Sequence, residues 1–286
     1  MRSSLKPKVK LPCSQNYGRI NSILKKHNLH TVCEEASCPN LGECWDSGTA
    51  TFMILGDICT RNCLYCNVKS GKPMRPDKKE PKRIAEVVSK LGLNYVVITS
   101  VTRDDLEDGG ASAFAACIKE IRKLNRNIKV ELLIPDYSGD SLKKLVDANP
   151  DVLNHNIEVV EPLFKRLRPQ GDYRKSLQTL KDIKKINKNQ VTKSGFIIGF
   201  GEIEKDIKST IENLRKADVD ILTIGQYLRP SLKNVPVEKY YLPEDFNKLR
   251  EYAVSIGIQE IKCGPLVRSS YKASHMYKKV YEHQKD

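Results

Sequence analysis

Two groups of cysteines are the residues whose type and spacing most plainly suggest chemistry. Six of the nine cysteines fall within 34 residues, as Cys33, Cys38 and Cys44 in one group and Cys59, Cys63 and Cys66 in the other. Three thiolates from one short loop can hold three irons of a cubane, which normally takes four thiolates. The spacing therefore implies either an external ligand or a remote fourth residue on the remaining iron.

A structural zinc site is the alternative interpretation of these cysteines. Zinc takes four ligands, commonly as two pairs that include cysteines or histidines. Here the cysteines come in threes and no His-x3–5-His follows them, so the spacing favours iron–sulfur chemistry. Cys13, Cys117 and Cys263 have no partners by spacing, and Cys117 is expected in the core.

Apolar runs of two kinds alternate along the chain. Short β-branched runs predict strands, and the segments between them carry apolar residues at helical spacing. The predicted strands are 51–55, 95–100, 129–134, 152–156, 191–198, 220–224 and 258–262. Repeated βα units predict a parallel sheet and a partial (β/α)6 barrel, in which chemistry lies at the C-terminal ends of the strands. Gly56 allows a turn at the end of the first predicted strand, and the second cysteine group follows it. These cysteines are therefore expected at the C-terminal end of that strand.

Two segments fall outside this pattern. Residues 1–50 have few apolar runs and predict a loop-rich extension that carries the first cysteine group. Residues 51–262 form the predicted barrel. Residues 263–286 begin CGPLVRSSY and continue as a basic amphipathic tail. We expect the three segments to form one structural unit.

Composition excludes several classes of protein. The chain has 286 residues, of which 40% are hydrophobic and 29% charged, as in ordinary globular proteins. No apolar run approaches the ~20 residues of a membrane helix, and residues 1–10 lack the apolar core of a signal peptide. We expect a cytoplasmic protein, with organellar import left open, whose clustered cysteines are ligands rather than disulfides.

The formal net charge of +14 invites a nucleic-acid interpretation. The lysines are spread along the chain at the spacing of solvated helix faces, as in Lys181, Lys184, Lys185, Lys188 and Lys193. We therefore predict neither a nucleic-acid nor a membrane partner. A basic tail beside the active site would suit an acidic protein partner, although a solvated helix face explains it equally well.

The segment CTRNCLYC, with Tyr65 at the aromatic position, resembles the signature of radical S-adenosylmethionine enzymes. The resemblance implies a [4Fe-4S] cluster on Cys59, Cys63 and Cys66, with its open iron chelated by the methionine part of S-adenosylmethionine. It also implies that one electron cleaves the sulfonium and that the resulting 5′-deoxyadenosyl radical abstracts a hydrogen atom.

Two further motifs narrow the resemblance to the lipoyl synthase family. They are TVCEEASCPNLGECW, which holds the first cysteine group, and RSSY at 268–271. The resemblance implies a second, auxiliary [4Fe-4S] cluster on Cys33, Cys38, Cys44 and a serine, for which we favour Ser270 over Ser269. That cluster would be the sulfur source for two insertions, at carbons six and eight of an octanoyl chain. The likeness spans about residues 15–277; Cys13 and the bulky segment 194–202 depart from the family pattern.

The resemblance also implies roles for other strand-end residues and for partners. Arg268 would contact the auxiliary cluster. Four residues besides Tyr65 would contact S-adenosylmethionine, namely Asp104, Asn156, Glu158 and Arg229. For the last three, contact with the substrate is the alternative. For Asp104 and its acidic neighbours, stabilisation of a helix start is the equal alternative. The implied partners are an octanoylated carrier protein or lipoate-bearing enzyme domain, an electron donor and an iron–sulfur assembly factor.

Two rival functions remain open at this point. A methylthiotransferase acting on tRNA would suit the positive charge, but such enzymes have a different ligand pattern and an added RNA-binding domain. A zinc-stapled nucleic-acid-binding module would not be an enzyme, and metal analysis distinguishes it from both.

Overall fold

The computed structural model describes Pro7, Val9 and residues 14–46 and 50–283, so Cys13 lies outside the described residues. The strands are β1 (His30–Thr31), β2 (Thr51–Ile54), β3 (Ile58–Cys59), β4 (Lys69–Ser70), β5 (Tyr95–Ser100), β6 (Lys129–Leu133), β7 (Val152–Asn154), β8 (Val191–Ile198), β9 (Ile221–Gln226) and β10 (Glu260–Gly264). The helices are α1 (Gln15–Lys26), α2 (Val32–Glu35), α3 (Leu41–Asp46), α4 (Glu80–Lys90), α5 (Ala111–Leu124), α6 (Gly139–Asp147), α7 (Glu161–Leu167), α8 (Tyr173–Ile186), α9 (Glu204–Lys216), α10 (Pro243–Ser255) and α11 (Ala273–His283).

All seven predicted strands are present, as β2 and β5 to β10, with bounds close to those predicted. The prediction succeeds most clearly where a strand is buried on both faces and therefore consists of a continuous apolar run. Every residue of β2 and of β9 is buried. The intervening helices turn their apolar faces inward, as α4 does with Ile84, Val87 and Val88.

The described residues divide into two compact units. The N-terminal unit comprises Val9–Asn62 and Asn67–Leu153. Its strands β2, β5 and β6 are parallel, with Thr51 opposite Val97. The two-residue strand β1 pairs antiparallel with β2. Helix α5 packs between α4 and α6, so this unit is built from the first predicted βα units.

The C-terminal unit comprises Cys63–Cys66 and the described residues that follow Leu153. Its strands β8, β9 and β10 are parallel, and Ile221 of β9 lies opposite both Lys193 and Glu260. Its core joins the strands to the inner faces of α9 and α10. Parallel strands with helical connections again match the predicted βα pattern.

The N-terminal extension differs from the prediction. We expected loops over 1–50, whereas its described part contains the 12-residue helix α1, two shorter helices and β1. The Ser14 hydroxyl caps α1 by accepting from the Tyr17 amide at 3.1 Å, and Ile20 and Leu24 are its buried residues. The prediction was wrong because two buried residues in a polar helix give little periodicity.

The tail agrees with its prediction as an amphipathic segment. Helix α11 buries Met276 and Val280, while Lys278 and Lys279 are exposed. The division of the chain into extension, barrel and tail stays a prediction. Among the described residues, no helix is long and apolar enough to cross a bilayer.

Asp108, in the acidic segment after β5, stabilises the start of α5. Its carboxylate accepts from the amides of Gly110 at 2.9 Å and Ser112 at 2.8 Å, and Lys144 Nζ lies 3.4 Å away. Burial acts to raise the pKa of Asp108, but the contacts with Ser112, Gly110 and Lys144 outweigh it and lower the pKa to about 2. The acidic side chain therefore satisfies amides that lack partners inside the helix.

We expect Asp108→Asn to destabilise the metal-free protein at pH 7 by about 1 to 2 kcal/mol, allowing for partial exposure. The folded-state pKa lies below the unfolded value, so the stabilisation is present above about pH 4 and is lost as the pH falls towards 2. Thermal unfolding followed by circular dichroism from pH 7 to pH 3 measures the gap between variant and parent. The gap should narrow with acid, and Glu107→Gln, at an exposed position, should leave the midpoint unchanged. A gap independent of pH would contradict the assignment.

Candidate functional site

The loop with the second cysteine group begins at β3, and residues that follow β5 and β6 hold its first half. The Thr60 amide donates to the Thr102 carbonyl at 3.0 Å, and the Thr60 hydroxyl donates to Asp104 Oδ2 at 2.8 Å. Arg61 donates to the Asp104 carboxylate through Nε at 2.9 Å and Nη2 at 2.8 Å, and its Nη1 donates to Asp136. Burial acts to lower the pKa of Arg61, but hydrogen bonds to both carboxylates raise it overall. Arg61 therefore stays charged and fixed.

The acidic residues after β5 mostly serve the local structure. The hydrogen bond from Arg61 is the main reason that the pKa of Asp104 is lowered. The neighbouring Arg103 is buried and pairs with Asp105 through bonds of 2.8 and 2.7 Å. Asp108 fits the alternative of a stabilised helix start, whereas Asp104 and Asp105 pair with arginines instead. The predicted contact of Asp104 with a cofactor stays a prediction.

The second half of the loop, Cys63–Cys66, is held by residues far away in the sequence. The Leu64 amide donates to the Leu167 carbonyl at 2.9 Å, and the Cys66 amide closes a turn onto the Cys63 carbonyl at 3.0 Å. Asn234 Nδ2 donates to the carbonyls of Leu64 at 3.2 Å and Cys66 at 2.8 Å. Asn234 has no signature in the sequence, because an asparagine 168 positions from its partner leaves no local pattern.

Tyr65 and Glu158, both predicted to bind cofactor, lie near each other. The Tyr65 ring packs edge-on to Phe200 with centroids 6.4 Å apart. Burial raises the pKa of Tyr65 well above its ordinary value, and the charge of Glu158 adds to the effect. Glu158 has a left-handed backbone, with φ of 70°, and its amide and carbonyl both bond to β8. The turn after β7 therefore presents Glu158 in a fixed backbone conformation.

The two arginines that sequence analysis singled out contact nearby carbonyl groups. Arg229 donates through Nε to Asn234 at 2.7 Å and through Nη2 to Leu232 at 2.6 Å. Arg268 Nη1 donates to the carbonyl of Val267 at 2.6 Å. Both guanidinium groups thus shape the loops that carry them, and their predicted contacts with cofactor or cluster stay predictions.

The segment before α11 lies directly on β9. A Cβ atom at Gly225 would stand 2.1 Å from the carbonyl oxygen of Val267, a distance that no side chain tolerates. Ser269 Oγ donates to Asn156 Oδ1 at 2.8 Å. Within the described residues, the Ser270 hydroxyl has no hydrogen-bond partner. Asn156 therefore contacts Ser269, and of the two serines only Ser269 has a side-chain hydrogen bond among the described residues.

In the first cysteine group, Cys33 is buried at the start of α2. Its pKa is raised to about 12, mainly by burial and then by the nearby Cys38. Trp45, which follows Cys44 in the chain, is fully buried and stacks on Tyr17 with centroids 5.0 Å apart. The Trp45 indole lies close enough to Cys33 to lower the pKa of that thiol. Yet its N–H has no hydrogen bond of normal geometry in the described chain.

In the part of the chain that the structure describes, no three His, Cys, Asp or Glu side chains converge as a single metal ion requires. A cubane makes a different demand, because each of its irons takes a separate ligand. Its thiolates therefore need not point at one common centre.

Two family models match the chain. The one described as the radical SAM superfamily matches residues 53–214. The one described as the N-terminal domain of lipoyl synthase of the radical SAM family matches residues 3–38. The lipoyl synthase of Caldicellulosiruptor saccharolyticus is 50% identical over 95% of this chain and 96% of its own length. That of Histophilus somni is 52% identical over 93% of this chain and 84% of its own length.

Solved structures share the fold at low sequence identity. Streptococcus suis SuiB bound to S-adenosylmethionine matches 87% of this chain, and 55% of its own, with a TM-score of 0.59 and 13% identity. The hydrogenase maturase HydG from Carboxydothermus hydrogenoformans matches 91% of this chain and 78% of its own, with a TM-score of 0.57 and 14% identity. These likenesses and the superfamily match confirm the predicted fold class, a partial (β/α)6 barrel.

We expect Gly225→Ala to displace the segment before α11, because the new methyl group would clash with the Val267 carbonyl. Overpacking of this kind costs about 1 to 3 kcal/mol, which corresponds to about 5-fold to about 150-fold faster amide exchange in residues 265–272. Hydrogen exchange read by mass spectrometry measures it. Gly18→Ala is the control, because an added Cβ in α1 meets nothing within 4 Å. Unchanged exchange over 265–272 in Gly225→Ala would show that this contact does not hold the segment.

Proposed function

The chain belongs to the lipoyl synthase family of the radical S-adenosylmethionine superfamily, and we propose which of its residues perform each part of the reaction. The enzyme inserts sulfur at carbons six and eight of a protein-bound octanoyl-lysine. Each insertion uses one 5′-deoxyadenosyl radical to remove a hydrogen atom from an unactivated carbon. The protein must therefore hold radical, carbon and sulfur donor in line.

We assign a [4Fe-4S] cluster to Cys59, Cys63 and Cys66. The residues fit this group, because the Arg61 amide donates to Cys59 Sγ at 3.4 Å and such bonds favour the thiolate. When bound, the cluster supplies the electron that cleaves S-adenosylmethionine. The part of the chain is to fix three thiolates and leave one iron free for the methionine group. Two bonds that hold the loop support that role: Arg61, within the loop, donates to Asp104, and Asn234 donates to the carbonyl of Cys66.

We assign a second [4Fe-4S] cluster, the sulfur donor, to Cys33, Cys38, Cys44 and Ser270. Two observations support the fit. The buried Trp45 N–H has no hydrogen bond of normal geometry but lies near the Cys33 thiol, whose pKa it lowers, so it is placed to donate to a thiolate or sulfide of the cluster. The buried Cys33 lies near enough to Cys38 for the two thiols to interact, as two ligands of one cluster would. Metal ligation removes the thiol proton and offsets the repulsion between thiolates.

Ser270 is the better candidate for the fourth ligand. The hydroxyl of Ser269 already donates to Asn156, whereas that of Ser270 has no partner among the described residues. An alkoxide is a harder ligand than a thiolate and matches a soft iron–sulfur site less well, so its bond should break more readily. A labile ligand suits a cluster that gives up its sulfur. Arg268, beside these serines, would hydrogen-bond the cluster sulfides.

Five strand-end residues are the proposed contacts of S-adenosylmethionine, namely Tyr65, Asp104, Asn156, Glu158 and Arg229. The Asp104 side chain is half exposed despite its bond to Arg61, so a carboxylate face is left for the ammonium group. Arg229 bonds its neighbours through Nε and Nη2, which leaves Nη1 for a carboxylate. Asn156 and Glu158, which follow β7, would bind the ribose hydroxyls.

We propose as substrate an octanoyl group carried on a lysine of a carrier protein or lipoate-bearing enzyme domain. An electron donor must reduce the cluster on Cys59, Cys63 and Cys66. An iron–sulfur assembly factor would rebuild the cluster on Cys33, Cys38, Cys44 and Ser270 after its sulfur is used. We propose no nucleic-acid or membrane partner and a cytoplasmic location.

Single-turnover mass spectrometry under anaerobic conditions tests the function. The reconstituted protein receives S-adenosylmethionine, dithionite and an octanoyl-lysyl peptide. We expect the peptide to gain two sulfurs, with 5′-deoxyadenosine formed and sulfide lost from the protein. Deoxyadenosine with an unchanged peptide would reject this peptide as the substrate. No deoxyadenosine from a protein that holds both clusters would contradict the assignment of the cleavage site.

The two serines give a matched pair of variants. We expect Ser270→Ala to lose about half of the bound iron, because one of two [4Fe-4S] clusters loses a ligand, and to insert no sulfur. It should still form 5′-deoxyadenosine, since the other cluster is untouched. Ser269→Ala should keep its iron and its turnover to a much greater extent. Iron and sulfide analysis with the same peptide assay measures both, and equal retention in the two variants would refute Ser270 as the ligand.

A further inference from the structure

Asn234 forms hydrogen bonds with the backbone on both sides of Tyr65. Its Nδ2 donates to the carbonyls of Leu64 at 3.2 Å and Cys66 at 2.8 Å. The next amide in the chain, that of Val235, donates to the same Leu64 carbonyl at 3.3 Å. Asn234 is 8% exposed, so water has little access to replace these bonds. The contact therefore fixes the spacing of the last residues of the cysteine loop.

The orientation of the Asn234 amide follows from its neighbours. Two backbone carbonyls can only accept, so the atom that faces them must be the nitrogen. On the other side, Oδ1 accepts from Ser231 Oγ at 2.8 Å. The carbonyl of Asn234 accepts from Arg229 Nε at 2.7 Å. Both ends of the amide and the backbone beneath it are therefore held.

No other small side chain does the same work. An aspartate would place a negative oxygen against two carbonyl oxygens. A leucine would leave the Cys66 carbonyl without this donor and the Leu64 carbonyl with only the Val235 amide. A buried acceptor without a partner is destabilising, so in either case the loop must move to find water. The thiolates of Cys63 and Cys66 would move with it.

We propose that Asn234 is a positioning residue for the cluster on the second cysteine group, acting through the backbone of Leu64–Cys66. This inference rests on the proposed assignment of Cys63 and Cys66 as ligands. Asn234 is not one of the proposed ligands of the iron or of S-adenosylmethionine, and it bonds to the backbone of the loop instead. It sets where two of the three thiolates stand, and with them how tightly the cluster is held and how the open iron meets its ligand.

The test isolates this cluster in the full-length chain. In the background Cys33→Ala/Cys38→Ala/Cys44→Ala, the iron that remains belongs to the second cysteine group. We expect Asn234→Asp to release iron to a chelator about tenfold faster, as the loss of two hydrogen bonds of ordinary strength implies. The electron paramagnetic resonance spectrum of the reduced cluster, and its change on adding S-adenosylmethionine, should also differ from the parent.

Asn213→Asp is the matched control. It makes the same atom exchange in α9, where Asn213 Nδ2 donates to the Tyr173 hydroxyl at 3.3 Å, and should leave iron release and the spectrum unchanged. If Asn234→Asp does not fold, Asn234→Gln, which keeps a donor, is compared with Asn234→Leu, which has none. Gln should then lie closer to the parent than Leu.

Parental iron release and an unchanged spectrum in Asn234→Asp would overturn the proposal. So would equal behaviour of the Gln and Leu variants. Cys63→Ala in the same background is a separate test of the ligand assignment. If it retains a four-iron cluster, the assignment fails, and with it the premise of this inference, whatever Asn234→Asp shows.

Discussion

The loop from Cys59 to Cys66 has neither helix nor strand after Cys59, so partners outside it must satisfy its backbone groups. Buried amides and carbonyls are nearly always paired, and here the pairs come from several places in the chain. The Thr102 carbonyl meets Thr60, the Leu167 carbonyl meets Leu64, and Asn234 meets the carbonyl of Cys66. A loop shaped by such bonds can present thiolates at fixed positions without regular structure of its own.

Charge is arranged around the same loop. Arg61 lies between Cys59 and Cys63 in the sequence and bonds to Asp104 and Asp136. The Asp136 side chain is only 2% exposed, and a buried charge that loses its partner costs about 3 to 5 kcal/mol. The carboxylates after β5 and β6 are thus held in place by the arginine they neutralise. In the acidic segment after β5, for which cofactor binding was predicted, Asp104 therefore also has a structural partner in Arg61.

The strands could be predicted from the sequence because they have local signatures, and the candidate cysteine groups could be recognised there for the same reason. Buried strands read as apolar runs, and the cysteines stand at fixed short intervals. The partners of the loop have no such signature, since Asn234 and Cys66 are 168 positions apart and meet only after the chain has folded. Arg229 shows the same limit: its place after a strand is visible in the sequence, but the bonds of its Nε and Nη2 to the carbonyls of Asn234 and Leu232 are not. Helix α1 was missed for a different reason, because few of its residues are buried.

The two adjacent serines of the tail differ in their side-chain contacts, and the difference follows from the contacts that hold the backbone before them. Gly225 allows the Val267 carbonyl to reach β9 directly, and the Ser269 hydroxyl bonds to Asn156. These contacts fix the backbone on the N-terminal side of Ser270 and make no use of its hydroxyl. A ligand that must bind iron and later release it needs a fixed backbone and a side chain free of competing bonds. Ser270 meets both conditions, whereas Ser269 would have to give up its bond to Asn156 before it reached a metal.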